Sequence, residues 1–135
     1  MRSRKFIGSL LASAAIFLLS QCFSPPISEG ERLYKINCMS CHLEDGSGLR
    51  NVIPPLAKAD FLVNHRDQLA CLIQHGIDGP IVVNGVTFNR PMPGAEHLSE
   101  MDIYNLLNYI QKNFGNENPP FSLDEIKQAL DKCKH

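Results

Sequence analysis

Five consecutive residues carry the strongest chemical signal in this 135-residue chain: Cys38-Met39-Ser40-Cys41-His42. Two thiols separated by two residues, with an imidazole directly after the second, admit three chemistries. A dithiol–disulfide pair also reads Cys-x-x-Cys, but it belongs in a βαβ unit, and no such pattern surrounds it here. A structural zinc site needs two more ligands at short spacing, and the chain has no second Cys-x-x-Cys. Covalent haem attachment uses all three side chains. Each thiol adds S–H across one vinyl group of the porphyrin, and two intervening residues on a helical turn set the sulfurs at the vinyl separation. The next residue, His42, then falls under the iron and can ligate it. The pattern points to one haem c, bound through Cys38 and Cys41 with His42 on the metal.

Haem is attached covalently outside the cytoplasm, so such a chain needs an export signal. Arg2, Arg4 and Lys5 form a basic start, and Phe6 to Leu19 is a nearly unbroken apolar stretch of 14 residues without charge. That is short for a membrane span and the right length for the core of a secretory signal. Residues 1–21 are therefore expected to be a signal peptide, residues 22–27 a tether and residues 28–135 the folded domain. The stretch ends Leu19-Ser20-Gln21-Cys22, which resembles the lipobox of bacterial lipoproteins. Leu19 and Ser20 match it; Gln21 stands where a small residue is usual. The resemblance implies lipidation of Cys22, and two acyl chains suffice for stable anchoring.

Composition agrees with one small exported domain. Apolar residues are 44% and charged residues 20% of the chain, a globular balance. The length fits one domain, and no apolar run reaches the roughly 18 residues of a spanning helix. Loss of Arg2, Arg4 and Lys5 with the leader leaves 10 basic against 14 acidic groups, a net charge of −4. That balance argues against nucleic acid as a partner and for a basic partner patch.

The motif and its surroundings resemble a small bacterial class I monohaem cytochrome c, well over about Ser28 to Phe114 and more weakly to the C-terminus. The resemblance implies an all-α, cytochrome c-like fold of about four to five helices around one covalent haem. It also implies a methionine as second axial ligand, from a loop before the last main helix. Asn89-Arg90-Pro91-Met92-Pro93-Gly94 stands in that place, and the flanking prolines hold the loop extended around Met92. Met101 falls in the first turn of a helix, where packing is its expected role. His65, His75 and His97 fall near helix ends or in a loop and read as surface histidines. In the same family a proline carbonyl accepts a hydrogen bond from the proximal histidine, and the family's Pro-x-Leu falls on Pro54-Pro55-Leu56, which assigns the role to Pro54. A small residue on the first helix lets an aromatic of the last main helix cross closely; Gly30 and Tyr109 are the matching pair.

The elements that must hold these residues are legible in turn. Ser28-Glu29-Gly30-Glu31 reads as a capping box at the head of a helix that carries Leu33, Tyr34 and Ile36 toward Cys41. Asp45-Gly46-Ser47-Gly48 is a turn-rich loop. Asp67 to His75 reads as a helix with Leu69, Leu72 and Ile73 on one face and Gly76 as its stop. Ile81-Val82-Val83-Asn84-Gly85-Val86-Thr87-Phe88 predicts a small β-hairpin with a type I′ turn before the Met92 loop, shielding that side of the haem. Ser99 and Asp102 cap the last main helix. Leu98 and Ile103 have the spacing of a hydrophobic staple, Ile103, Leu106, Leu107, Ile110 and Phe114 form the core stripe, and Gly115 ends the helix. Ser122 and Glu125 cap a final short helix with Leu123, Ile126 and Leu130. Cys71 and Cys133 remain. They could pair in an oxidising compartment, but the reading favoured here is unpaired: Cys71 as a small buried apolar residue in mid-helix and Cys133 as a near-terminal thiol.

An iron with His42 on one face and Met92 on the other has no open position, which suits outer-sphere electron transfer, and a methionine ligand favours Fe(II). The expected function is a one-electron carrier, not an enzyme, between donor and acceptor redox proteins in the periplasm or at the outer face of the cytoplasmic membrane. Two alternatives keep the same site: a peroxidase or small-gas sensor with a labile Met92, and an electron-entry subunit of a larger dehydrogenase, oxidase or nitrite reductase.

Overall fold

The computed structural model describes residues 26–133. The leader and Cys22 lie outside that range. Among the described residues the main elements are six α-helices, a single 3₁₀ turn and two short antiparallel ribbons. The helices are α1 (Glu29–Asn37), α2 (Met39–His42), α3 (Asp60–Asn64), α4 (Leu69–His75), α5 (Glu100–Asn113) and α6 (Leu123–Lys132). The segment expected as one helix from Asp67 begins instead as a 3₁₀ turn over Arg66–Gln68 before α4, with α3 ahead of it.

Local chemistry sets the helix ends. Ser99 and Asp102 form a reciprocal capping box at α5, and Ser122 and Glu125 form another at α6. At α1 only half the box is made. Ser28 Oγ accepts from the Glu31 amide, while the Glu31 carboxylate is taken by Lys35 at 2.7 Å, one turn on. Phe114 caps α5 and Gly115 follows at φ +66°, the left-handed residue that ends the helix.

The core lies between α1 and α5. Leu33 and Tyr34 of α1 meet Ile103, Leu106, Leu107 and Ile110 of α5, all buried, while Ile36 points out at 65% exposure. Gly30 sits at the crossing. A Cβ there would stand 2.7 Å from Tyr109 Cβ and would run into the Asn105 carbonyl oxygen, so only glycine admits this approach. Tyr34, Tyr109 and Phe114 close the crossing as an aromatic group with centroids 4.9 to 5.7 Å apart.

The ribbons are β1 (Gly76–Ile77) with β4 (Met92–Pro93), and β2 (Ile81–Val83) with β3 (Val86–Phe88). The second is the expected hairpin: Asn84 and Gly85 have φ +51° and +76°, as a type I′ turn requires. Asp60 and Asn84 exchange backbone-to-side-chain hydrogen bonds of 3.0 and 2.7 Å, which tie the hairpin turn to the head of α3.

Cys71 and Cys133 form a disulfide with Cα atoms 5.9 Å apart, which corrects the reading of both as unpaired. The reason is the docking of α6, which no local pattern near Cys133 announces. Ile126, Ala129 and Leu130 bury against α4 and α5, and Arg66 secures the linker from outside. Its guanidinium donates to the carbonyls of Pro119 and Pro120 at 2.8 and 3.0 Å and lies 3.7 Å from the Phe121 ring centroid. The bond closes a loop with a sequence separation of 62. Replacing both cysteines, as Cys71→Ser with Cys133→Ser, should cost about 2–4 kcal/mol and lower the midpoint by about 10 °C in a thermal melt. An unchanged melt would show that the bond contributes nothing to the folded state.

Candidate functional site

Cys38 caps the end of α1 and opens α2, whose four residues end on His42. The break between the helices places the two thiols unequally. Cys38 is half-buried and Cys41 exposed. Burial, with Cys41 beside it, pushes the Cys38 thiol up to about 11, so at neutral pH it is the protonated S–H.

His42 is 92% buried, being 8% exposed. Its Nδ1 lies 3.1 Å from the Pro54 carbonyl oxygen. A carbonyl only accepts, so Nδ1 carries the proton and donates it. Burial holds the imidazole below its ordinary value, opposed in part by the Pro54 bond. The ring is therefore neutral, and its Nε2 lone pair is free for a metal.

The loop from His42 to Leu56 exists to bring that carbonyl back. The Gly48 amide donates to the His42 carbonyl at 3.0 Å, and the Leu56 and Ala57 amides converge on the Gly46 carbonyl at 2.7 and 3.0 Å. Gly48 has φ +67°, and a Cβ on it would stand 2.6 Å from the Pro54 oxygen itself. Tyr34 Oη braces the loop by donating to the Leu43 carbonyl at 2.6 Å. Neither role was visible beforehand. The glycines carried only a turn signal, and Tyr34 looked like a core aromatic.

Met92 stands in β4, half-buried, with Ile77 as its partner across the ribbon. It lines the same cavity as Cys38, His42 and Pro54. That cavity is about 660 Å³, counting its open mouth, and its walls are apolar: Leu56, Phe61, Leu69, Ile73, Val83 and Leu106 are among them. No charged side chain lines it. A second cleft adjoins it, bounded by Cys41, His42, Phe88, Arg90, Pro91 and Met92 among others. Cys38, Cys41, His42, Pro54 and Met92 thus converge on one region, and Cys22 lies outside the described residues. Ile81 and Val83 of the hairpin form part of the wall on the Met92 side.

The other sulfur and imidazole groups lie elsewhere. Met101 is 49% exposed rather than packed, because the first turn of α5 turns that side to solvent. His65 is half-buried and stacks on Phe61 at a centroid distance of 4.0 Å, not free on the surface as expected. His97 is exposed and its Nε2 meets Asn37 Oδ1 at 3.2 Å, and His75 is exposed at the end of α4.

The donor set and the cavity fit a haem. A flat apolar macrocycle needs apolar walls, thiols at its edge and a neutral nitrogen donor facing inward, and this cleft supplies all of these. The fold and the site are those of a small c-type cytochrome. The family described as cytochrome c oxidase, cbb3-type, subunit III matches residues 25–110, well over half the chain, and the chain belongs to that family. It is a monohaem class I cytochrome c, with covalently bound haem c as its cofactor. Cytochrome c-552 of Thermus thermophilus is similar at 29% identity over 121 residues, covering 83% of this chain and 81% of that protein. The cytochrome c subunit of the quinone alcohol dehydrogenase of Gluconobacter oxydans is similar at 32% identity over 92 residues, covering 67% of this chain and 19% of that subunit. Relatives of this kind are cytochromes rather than enzymes in themselves, and the chain's role is to carry electrons. Among the described residues no helix is long and apolar enough to cross a membrane.

Proposed function

We propose that the chain is a one-electron carrier of the bacterial cell envelope. In this reading haem c would be held by thioethers to Cys38 and Cys41, with His42 and Met92 as the residues that would ligate its iron. Haem c bound there supplies a one-electron Fe(III)/Fe(II) couple. Pro54 fixes the His42 ring and keeps its proton on Nδ1. The apolar walls exclude water, which limits reorganisation as charge changes. The observation that carries the reading is that His42 and Met92 line one apolar, uncharged cavity from different chain segments, the one ending α2 and the other pinned in a ribbon. A substrate would have to displace Met92 to reach the metal.

The location proposed is the periplasm or the outer face of the cytoplasmic membrane, with a lipid on Cys22 as the tether. The partners are a donor and an acceptor redox protein. A second reading, as an electron-entry subunit of a larger complex, draws on the subunit names of the matching family and of the Gluconobacter relative. The near full-length likeness to cytochrome c-552 supports a free carrier. Potentiometric titration of the purified haemoprotein should give a single reversible wave with a one-electron slope and no turnover of hydrogen peroxide. Peroxide turnover would overturn the carrier reading.

A further inference from the structure

We infer that Gly76 and Gly94 are the positioning residues for Met92. They are a facing glycine pair that lets the methionine loop press directly on the last turn of α4. The inference rests on the reading of Met92 as an axial ligand and says what holds it there.

The segment that carries Met92 is not supported by its prolines alone. It pairs with β1 in the register Gly76 to Pro93 and Ile77 to Met92. Two residues beyond the ribbon, the Ala95 amide donates to the Ile73 carbonyl at 2.8 Å, inside the final turn of α4. Both contacts demand an approach that side chains would block. A Cβ on Gly76 would run into the Met92 carbonyl oxygen and stand 2.7 Å from the Gly94 nitrogen. A Cβ on Gly94 would stand 2.5 Å from the Gln74 carbonyl oxygen and 2.7 Å from the His75 carbonyl carbon. Every one of these neighbours is backbone, which cannot swing aside as a side chain would. Gly76 is further bound to glycine by its φ of +84°, where it stops α4 and starts β1. Gly94 has no such conformational demand, so packing against α4 is its whole reason for being glycine.

The consequence is specific to a weak ligand. A thioether is neutral and binds iron poorly on its own, so its occupancy depends on how well the loop holds it in place. The loop is held from α4, and α4 also supplies Leu69 and Ile73 to the cavity wall. Lifting the loop off α4 would withdraw Met92 without touching Cys38, Cys41, His42 or Pro54.

Gly94→Ala is the decisive variant, since it tests space alone. Gly76→Ala adds backbone strain and is the variant that risks failing to fold. Gly85→Asn is the control: this hairpin-turn glycine has open space around it, and asparagine tolerates its φ of +76°. Each is purified with haem attached and compared with wild type by three measurements. These are the thioether-to-iron charge-transfer band at the red end of the ferric spectrum, the rate of carbon monoxide binding to the reduced protein, and the thermal melt. Gly94→Ala should lose most of the band and bind carbon monoxide at least about tenfold faster, the shift expected when overpacking strain opposes a closed loop. Gly85→Asn should match wild type in both. A wild type that lacks the band refutes Met92 as ligand and this inference with it. A wild type with the band, together with a Gly94→Ala protein that melts lower but keeps the wild-type band and carbon monoxide rate, refutes the inference alone.

Discussion

His42→Ala, expressed with its leader alongside a haem-attachment system, should yield no haemoprotein of normal spectrum. Wild type under the same conditions should carry one haem that acid acetone does not extract. The expectation follows from how little else the cavity offers. Its walls are apolar, and His42 is its single nitrogen donor for iron among the lining residues. Cys41→Ala should weaken attachment without emptying the cavity, because the half-buried Cys38 thiol remains at the wall. Haem that extracts freely from the wild-type protein would refute covalent attachment at this motif.

Met92→Ala should keep the covalent haem and the fold while opening the sixth position. The fold survives because Met92 contributes nothing to the α1–α5 crossing, where Tyr34, Ile103, Leu106 and Leu107 are all but fully buried. The midpoint potential should fall by at least about 60 mV, a tenfold change in a one-electron ratio, since the thioether favours Fe(II). Carbon monoxide should bind the reduced variant readily. Equal potentials and equal carbon monoxide affinities in variant and wild type would remove Met92 from the iron. His97 and Met101 would be poor replacements, since one is engaged by Asn37 and the other faces solvent.

The parts of this molecule that were legible from sequence are those with local causes. The boxes at Ser99 and Ser122 and the Asn84-Gly85 turn are short-range chemistry, and each sits where its residues put it. The Gly30–Tyr109 crossing was reached only through family resemblance, and its cause is long-range: a glycine 79 positions from the side chain it admits. The Cys71–Cys133 bond shows the limit. Its partners are set by α6 docking on α4 through Ile126, Ala129 and Leu130, with Arg66 holding the Pro119 and Pro120 carbonyls from a distant turn. The β1–β4 ribbon was equally hidden. Two residues on each strand give no alternation to detect, and its register depends on Gly76 and Gly94 fitting backbone to backbone. Half of the Ser28 box is lost to a local competitor instead, because Lys35 one turn on takes the Glu31 carboxylate.

The central claim is that the iron of this cytochrome is closed on both faces, by His42 and by Met92. The measurement that bears on it most directly is the ferric spectrum of the wild-type protein, followed by rapid mixing of the reduced form with carbon monoxide. The account predicts a low-spin ferric spectrum with the thioether-to-iron band and little carbon monoxide binding. A substantial high-spin fraction, no such band and ready carbon monoxide binding would contradict it.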